Sequence, residues 1–276
     1  MSQVRNSRTT RISGSIVLAG AAVLTLLPLY SVFVTALQTR GSSPSGLGFP
    51  SNPQWHNFVD AWNAANMGAL LLSSTLIVVG VVPVSLLLAT TAGYALALLP
   101  FRGHRAVYAA FVAGLTLPFE ALVAPLYLQV QSLQLLNSRW AIIVPLVGLF
   151  MPFGVFWMRA HFLSLPAQLR DAAALDGATS WQAFRHVFAP LSGPAWSSLG
   201  VLLFLWTWNQ FLLAVALVDD PTQRTMAGAL GAFQGQYGTD IVLLSAGSLT
   251  IMVPTIVVFV LFQRRFAVAL LQGVDR

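Results

Sequence analysis

The chain has 276 residues, of which 57% are hydrophobic and only 8% are charged, and its formal net charge is +6 at pH 7. Soluble domains are usually about one quarter charged, so the composition indicates an integral membrane protein. The sequence contains no Cys and no Lys. This excludes disulfides, cysteine metal sites, a Schiff-base lysine and the Gly-Lys-Ser/Thr phosphate loop, so any ATP must be bound by another subunit.

Six apolar stretches are long enough to cross the bilayer as helices, which takes about 20 residues each. The first stretch is longer than the apolar part of a signal peptide and lacks a clear cleavage site, so we expect it to be retained. The six stretches cover about 16–37, 70–99, 106–128, 141–158, 195–218 and 241–262. The sequence therefore predicts an all-α integral membrane protein, with an N-terminal tail over 1–14 and one transmembrane domain over 15–276.

The arginines lie unevenly beside these stretches. Only Arg40, Arg139 and Arg224 fall on one side, and the other 11 fall on the opposite side. Cytoplasmic loops carry the excess of basic residues, so both termini and the connection 159–190 are predicted to be cytoplasmic. This placement explains the net charge without a nucleic-acid partner. The 11 are Arg5, Arg8, Arg11, Arg102, Arg105, Arg159, Arg170, Arg185, Arg264, Arg265 and Arg276.

The first connection on the outer side changes character along its length. It begins with a stretch rich in Gly, Ser and Pro, which predicts irregular structure. Trp55, Phe58 and Trp62 then follow at helical spacing. They predict a short helix at the outer membrane surface, where Trp favours the headgroup level, and a membrane anchor is favoured over a ligand site.

Ionisable and amide side chains are rare within the spans. Glu120 is the only Glu, and Pro118 and Pro125 beside it weaken the helix, as in helices that line cavities. A Glu at the outer interface that bonds to a neighbouring helix is the equal alternative. Asn209 and Gln210 form the other polar pair, for which helix packing is favoured and contact with a substrate hydroxyl comes second. These three residues are the candidates for a translocation path.

The sequence offers no catalytic or metal-binding constellation. Its four His residues fall in loops or cytoplasmic segments, and we expect none to form a metal-ligand pair with a carboxylate at helical spacing. No G-x-S-x-G elbow and no carboxylate dyad within a span is present. We therefore expect neither an enzyme nor a metal site.

The connection 159–190 holds a polar helix pair, LRDAAALDGATSWQAFRHVFAP. Ser164 is predicted to cap a helix that begins near Pro166, with Leu169, Ala172, Ala173 and Asp176 on one face. Gly177 ends it as a left-handed C-cap, and Thr179 with Gln182 forms a capping box for a second helix. Trp181, Phe184 and Phe188 form an aromatic stripe on that helix, which Pro190 ends. Docking to a cytoplasmic protein is favoured over lying flat on the membrane, because the polar face carries mixed charge.

The spacing of this pair resembles a motif of ABC importer permeases: Glu-Ala-Ala, three residues, Gly, nine residues, Ile, any residue, Leu-Pro. Here Asp171-Ala172-Ala173, Gly177 and Pro190 stand in register, with Asp, Val and Ala in place of Glu, Ile and Leu. YALALLPFRG, PFEALVAPLYL, LFLWTWNQFLLA and FQRRF are similar to the carbohydrate-uptake branch, and the single short first outer loop resembles its smaller, six-span permease.

The resemblance implies a multi-pass permease subunit of the bacterial inner membrane that moves a sugar or related polyol. It further implies a second, different permease, two copies of a cytoplasmic ATPase, an extracytoplasmic sugar-binding protein, and no cofactor in this subunit. The helix pair is then the element that couples to the ATPase. Its candidate residues are Arg170, Asp171, Ala172, Ala173, Asp176, Gly177, Ala178, Trp181, Phe184 and Pro190. The alternative function is a proton-coupled secondary transporter that uses Glu120.

Overall fold

The computed structural model describes residues 8–42, 46–235 and 238–271. The predicted tail up to residue 7 with Arg5, the end of the chain from residue 272 with Arg276, and parts of two predicted outer loops lie outside the described residues. The α-helices are α1 (Arg8–Ala36), α2 (Asn57–Ala64), α3 (Met67–Leu98), α4 (His104–Gly114), α5 (Val123–Ser132), α6 (Trp140–Ser164), α7 (Ala167–Leu175), α8 (Ser180–Ala183), α9 (Ala189–Leu191), α10 (Gly193–Trp208), α11 (Leu212–Leu217) and α12 (Ile241–Leu271). The other elements are 3-10 turns at Phe119–Leu122, Pro221–Gln223 and Ala227–Phe233, a π-helix at Phe184–Phe188, and the antiparallel strands β1 (Gln234–Gly235) and β2 (Gly238–Thr239).

The described residues form two units. The first comprises the chain up to Ala65 together with Ala232–Met252, and the second comprises Asn66–Gly231 together with the chain from Val253. In the first unit, the Asn57 side-chain amide donates to the backbone carbonyls of Ala36 and Gln38 at 2.8 Å each. The first bond occupies the carbonyl of the last residue of α1, which the helix itself leaves free, and the second holds the chain that follows.

Helix α1 exposes its apolar surface. No residue in the most apolar 18-residue segment of Gly14–Ala36 is buried inside the described part of this chain, as expected for a span covered by lipid or by another subunit.

The short helix predicted around Phe58 is confirmed as α2. The position of α2 at a membrane surface stays a prediction.

The second unit is built around α3 and α6, whose backbones approach closely at small residues. A Cβ placed on Gly93 would lie 2.7 Å from Cβ of Met158 and 2.9 Å from the backbone N of Arg159. A Cβ on Gly154 would lie 2.8 Å from that of Ala89. Small residues permit such contact between membrane helices, because no driving force other than packing and hydrogen bonds holds them together in lipid. The fully buried side chains along this contact include Ile77, Val81, Leu146, Met158 and Phe162.

Polar contacts join the ends of the second unit that are predicted to be external. Arg139 Nε donates to Ser73 Oγ at 2.9 Å, which ties the start of α6 to α3. Asn137 has a positive φ of 60°, and its side-chain oxygen accepts from the backbone N–H of Asp219 at 2.7 Å. Asp220 starts the following 3-10 turn. Hydrogen bonds from the hydroxyl and the backbone N–H of Thr222 hold the pKa of Asp220 below its ordinary value.

Two of the six predicted spans are not continuous helices. In the stretch predicted over 106–128, α4 ends at Gly114, and the axis of the helical segment that begins at Phe119 is bent by 100° from α4. Pro118 lies in this break with an extended backbone, and a proline cannot donate the N–H that would continue the helix. In the stretch predicted over 195–218, α10 stops at Trp208 and α11 starts only at Leu212. The break at Pro118 agrees with the weakening of the helix that the prolines beside Glu120 predicted. The break after Trp208 was not predicted, because hydropathy measures apolar character and not helix continuity.

Four helical stretches within the described residues are long and apolar enough to cross a membrane alone: Gly14–Ala36, Met67–Leu98, Trp140–Ser164 and Ile241–Gln263. Two bent pairs meet the criterion only together: His104–Gly114 with Phe119–Ser132, and Ser180–Leu191 with Gly193–Trp208, the latter bent by 72°. The fold is therefore a helical membrane protein with four spans, or up to six if each bent pair is one span.

Candidate functional site

The predicted turn of the polar helix pair is a complete Schellman motif. Gly177 has a φ of +69° and follows α7. Its N–H donates to the Ala174 carbonyl at 3.1 Å, and the N–H of Ala178 donates to the Ala173 carbonyl at 3.0 Å. These two bonds satisfy carbonyls at the end of α7 and fix the direction in which the chain leaves it. The left-handed C-cap that the sequence predicts at Gly177 is confirmed.

The start of the second helix is fixed as firmly. The N–H of Gln182 donates to Thr179 Oγ1 at 3.3 Å, and the Thr179 N–H donates to Gln182 Oε1 at 2.8 Å. This reciprocal pair is the predicted capping box, and it satisfies two donors at the start of α8. Between α7 and α8 the chain therefore has a defined path, although Gly177 and Thr179 are exposed.

The first helix begins at Ala167, as predicted near Pro166, but its predicted cap at Ser164 was wrong, and the second helix ends one residue after the predicted end at Pro190. The Ser164 hydroxyl donates to the His161 carbonyl at 2.7 Å, so Ser164 belongs to α6 and caps nothing, and α7 follows Pro166 without a side-chain cap. Pro190 does not end the second helix, because the chain continues as a π-helix and then as α9 up to Leu191. Pro190 lies in the first turn of α9, where its missing N–H is tolerated.

Tyr94, near the end of α3, joins the polar pair to the helical core. Its hydroxyl donates to the backbone carbonyl of Ser180 at 3.0 Å. Its ring lies 5.0 Å from that of Phe184, 5.5 Å from that of Phe188 and 5.6 Å from that of Phe162 in α6, measured between centroids. Buried aromatic rings at these separations attract beyond their burial. One side chain thus holds α3, α6 and the second helix of the pair together.

The polar helix pair exposes the face that points away from Tyr94 and the helical core. Leu175 is 89% exposed and Trp181 is 62% exposed. The predicted stripe therefore divides: Phe184 and Phe188 are buried, whereas Trp181 stacks on Phe184 at 5.3 Å and covers it from outside. Large apolar side chains this exposed suit contact with a partner protein or with the membrane surface.

The predicted alanine-bearing face of α7 is also partly buried and partly exposed. Ala173 is buried and Leu169 is half-buried, but Ala172 and Asp176 point outward. Among the other candidate residues, Phe184 is buried and Ala178 is half-buried. The remaining ones, Arg170, Asp171, Gly177, Trp181 and Pro190, are exposed. Arg170 and Asp171 form an exposed ion pair at 3.7 Å, a geometry that contributes little stability and leaves both charges available.

Arg159 is a structural residue that the sequence marked only as a sign of orientation. Its guanidinium lies 4.0 Å from the centroid of the Tyr108 ring, and its Nε donates to the Leu96 carbonyl at 3.3 Å. Arg159 of α6 thus connects α4 with the end of α3. Its position at the end of an apolar run was the available signal, but the partners come from other helices.

The three candidates for a translocation path are not brought together equally. Asn209 and Gln210 line an open cavity of about 560 Å³ between α4, α6 and α10. Glu120 lies in the 3-10 turn at the break before α5, is exposed, and is absent from the lining of the cavity, although its neighbour Phe119 lines it. Among the described residues, no group of three or more His, Asp or Glu side chains is placed to hold a metal ion.

These features define the class: a multi-pass α-helical membrane protein with a capped polar helix pair held against its core. The chain belongs to the family described as binding-protein-dependent transport system inner membrane component, whose model matches residues 82–270. It is accordingly a component of an ABC importer in the bacterial inner membrane.

Several relatives of this chain are named as permeases of sugar uptake systems. It is 34% identical to the diacetylchitobiose uptake system permease protein NgcG of Streptomyces coelicolor, over 92% of this chain and 85% of that one. It is 33% identical to the arabinooligosaccharides transport system permease protein AraQ of Halalkalibacterium halodurans, over 81% and 80%. It is 30% identical to the trehalose transport system permease protein SugB of Mycobacterium tuberculosis, over 90% and 91%.

A solved structure shares the fold. The chain superposes with a TM-score of 0.79 on a chain from the crystal structure of a bacterial ABC transporter involved in the import of the acidic polysaccharide alginate. The match covers 96% of this chain and 99% of that one, at 20% sequence identity.

Proposed function

We propose that this chain is one of two different permease subunits of an ATP-driven importer that carries a sugar or related polyol into the cytoplasm. The observation that carries the proposal is the polar helix pair, whose Schellman turn and capping box give it a fixed form and whose outer face stays exposed. The relatives named for diacetylchitobiose, arabinooligosaccharides and trehalose support a sugar as the substrate.

ATP is hydrolysed on a separate subunit in this proposal, because the chain lacks Lys and hence the lysine of a phosphate loop. Two copies of a cytoplasmic ATPase flank the importer, and one of them receives the exposed face of the pair. When ATP closes the ATPase dimer, the pair moves with it and the spans change between inward-open and outward-open states. Such coupling requires that the pair makes different contacts in the two states.

The remaining partners follow from the same assignment. The exposed apolar surface of α1 is covered by lipid and by the second permease, and an extracytoplasmic sugar-binding protein delivers the substrate on the opposite side from the polar pair. The coupling residues are the ten candidates from the sequence analysis, and Asp171, Asp176 and Trp181 are among those with exposed side chains.

The experiment measures uptake of labelled diacetylchitobiose, trehalose and arabinobiose by cells that express this chain with its neighbouring subunits. ATP is depleted while the proton gradient is held. We expect uptake of the transported sugar to stop. Uptake that continues, and that is lost in Glu120→Gln, would overturn the proposal in favour of a proton-coupled transporter.

A further inference from the structure

We propose that this subunit itself holds the sugar during translocation, in the cavity between α4, α6 and α10, and that the site takes an uncharged saccharide with the Trp206 ring as its stacking surface. This inference rests on the proposed function. It adds where in this chain the substrate is bound and which chemical class of sugar it is.

Both interruptions of the spans open onto the same cavity. Leu115 and Leu117, in the break that follows α4, form one part of its wall. Asn209 and Gln210, in the break that follows α10, form another part. Irregular backbone within a membrane is tolerated where it lines a cavity or is buried in protein, and interrupted helices mark binding sites in other transporter folds. Two independent breaks at one cavity indicate that the cavity is a site and not a packing defect.

Aromatic side chains line the part of the cavity between the two breaks. The Trp206 ring lies 4.9 Å from that of Phe153 and 5.6 Å from that of Phe150, centroid to centroid, and both Phe rings also line the cavity. Trp206 is nevertheless 40% exposed. The face of an aromatic ring carries negative charge density, so it attracts the weakly positive C–H groups on the apolar face of a pyranose. The cavity thus offers a sugar ring a flat surface that its neighbours hold in place.

Amide groups lie at the end of this wall. The Asn209 side-chain N–H donates to the Leu205 carbonyl at 2.8 Å, and Gln210 Oε1 accepts from the Leu213 N–H at 3.2 Å. Each bond fixes one of the four bonding positions of an amide, which has two donor hydrogens and two acceptor lone pairs. The other positions suit sugar hydroxyls, which both donate and accept. A volume of about 560 Å³ is within the range of small-molecule sites, about 300–1,000 Å³.

The charge of the lining selects against ionic sugars. No charged side chain is among the described residues that line the cavity. An anion placed there would lose hydration without gaining a counter-ion, which is costly. Glu120 follows Phe119 directly in the chain, and its carboxylate, when ionised, would repel a uronate further. An uncharged saccharide has no ionic hydration to lose and is not repelled by the Glu120 carboxylate.

The first test uses the complete transporter, with its partner permease, ATPases and sugar-loaded binding protein, in proteoliposomes. The measured quantity is the number of sugar molecules imported per ATP hydrolysed at saturating binding protein. We expect Trp206→Ala to lower this ratio at least tenfold and Trp206→Phe to lower it less than threefold. Trp140→Ala, which removes an exposed Trp outside the cavity, should leave it unchanged. An unchanged ratio in Trp206→Ala, or an equal loss in Trp140→Ala, would overturn the inference.

The second test reads binding directly and identifies the occupant. The fluorescence of the Trp206→Phe complex is subtracted from that of the wild type in nanodiscs, so that the signal of Trp206 remains. We expect millimolar trehalose or diacetylchitobiose to change this signal, and digalacturonate not to change it. Quenching by brominated lipid without any response to either neutral sugar would assign the cavity to an acyl chain and contradict the inference.

The experiments distinguish a failure of the proposed transport function from a failure of the proposed sugar-binding site. If the wild type imports no sugar with ATP, but the Trp206 signal responds to a neutral sugar, the proposed function fails while the binding site stands. If the wild type imports a sugar and Trp206→Ala imports it equally well, only the binding site fails. A response to digalacturonate as large as that to the neutral sugars would overturn the assigned class of sugar.

Discussion

The Tyr94 hydroxyl donates a hydrogen bond to the backbone carbonyl of Ser180 across 86 residues of sequence. Tyr94 is only 7% exposed, and Ser180 is the first residue of α8. The same carbonyl accepts the N–H of Phe184 within the helix. The tyrosine therefore adds a second bond to a helix start that is already formed, which links the polar pair to α3 without being needed to fold it.

This relationship predicts that Tyr94→Phe affects coupling more than stability. The variant keeps the ring among its aromatic neighbours and leaves the Ser180 carbonyl bonded to Phe184. The stability loss should be about 0.5–1 kcal/mol, the low end for a buried hydrogen bond. We expect sugar import per ATP hydrolysed to fall while the melting temperature of the purified complex changes little. Tyr127→Phe, at a more exposed tyrosine of α5, is the matched control.

The backbone conformation at Gly177, and not the space around it, limits which residues can replace it. No neighbouring atom of the described residues lies within 4 Å of a Cβ placed on it, but its φ of +69° disfavours L residues by roughly 1–2 kcal/mol. We expect Gly177→Val to abolish uptake while the protein still inserts, and Gly177→Asn to retain much of the uptake, since Asn tolerates this region. Membrane fractionation and uptake assays measure both. Normal uptake by the Val variant would contradict the coupling role of the turn.

The capping box predicts a graded effect at Thr179. Thr179→Ala removes the side-chain acceptor for the Gln182 N–H and should cost about 1 kcal/mol of local stability. Thr179→Ser keeps the acceptor and should behave as wild type. Hydrogen exchange of residues 180–183 reports the fraying of α8. Equal exchange rates in the Ala and Ser variants would show that the helix start does not depend on the cap.

The contact between α3 and α6 predicts opposite outcomes for two glycines. Gly93→Ala places a Cβ 2.7 Å from Met158 Cβ and 2.9 Å from the Arg159 backbone, so overpacking should cost roughly 1–3 kcal/mol. Gly148→Ala meets nothing within 4 Å and should be neutral, or stabilising by about 0.5–1 kcal/mol through its higher helix propensity. Thermal unfolding in detergent distinguishes them. A Gly93→Ala protein as stable as wild type would mean that the two helices can separate without cost.

Local chemistry explains what the sequence predicted correctly. Apolar runs of sufficient length predicted the helical membrane class, and Gly177, Thr179 and Gln182 predicted the turn and the cap, because each depends on residues within a few positions of one another. The same locality explains the errors. Ser164 was compatible with two helices, and only the length of α6 assigned it to the first.

The tertiary structure decided everything that depends on distant residues. Hydropathy could not place the break after Trp208, and spacing could not show that this break and the one at Pro118 border one cavity lined by Trp206. Likewise, helical periodicity put Trp181, Phe184 and Phe188 on one stripe, but Tyr94 of α3 buries only the two phenylalanines. By itself the sequence determined the apolar helical stretches, the turn at Gly177 and the cap at Thr179, since these arise from short-range sterics and hydrogen bonds. Which face is covered, and by which residue, depends on packing between segments that are far apart in the chain.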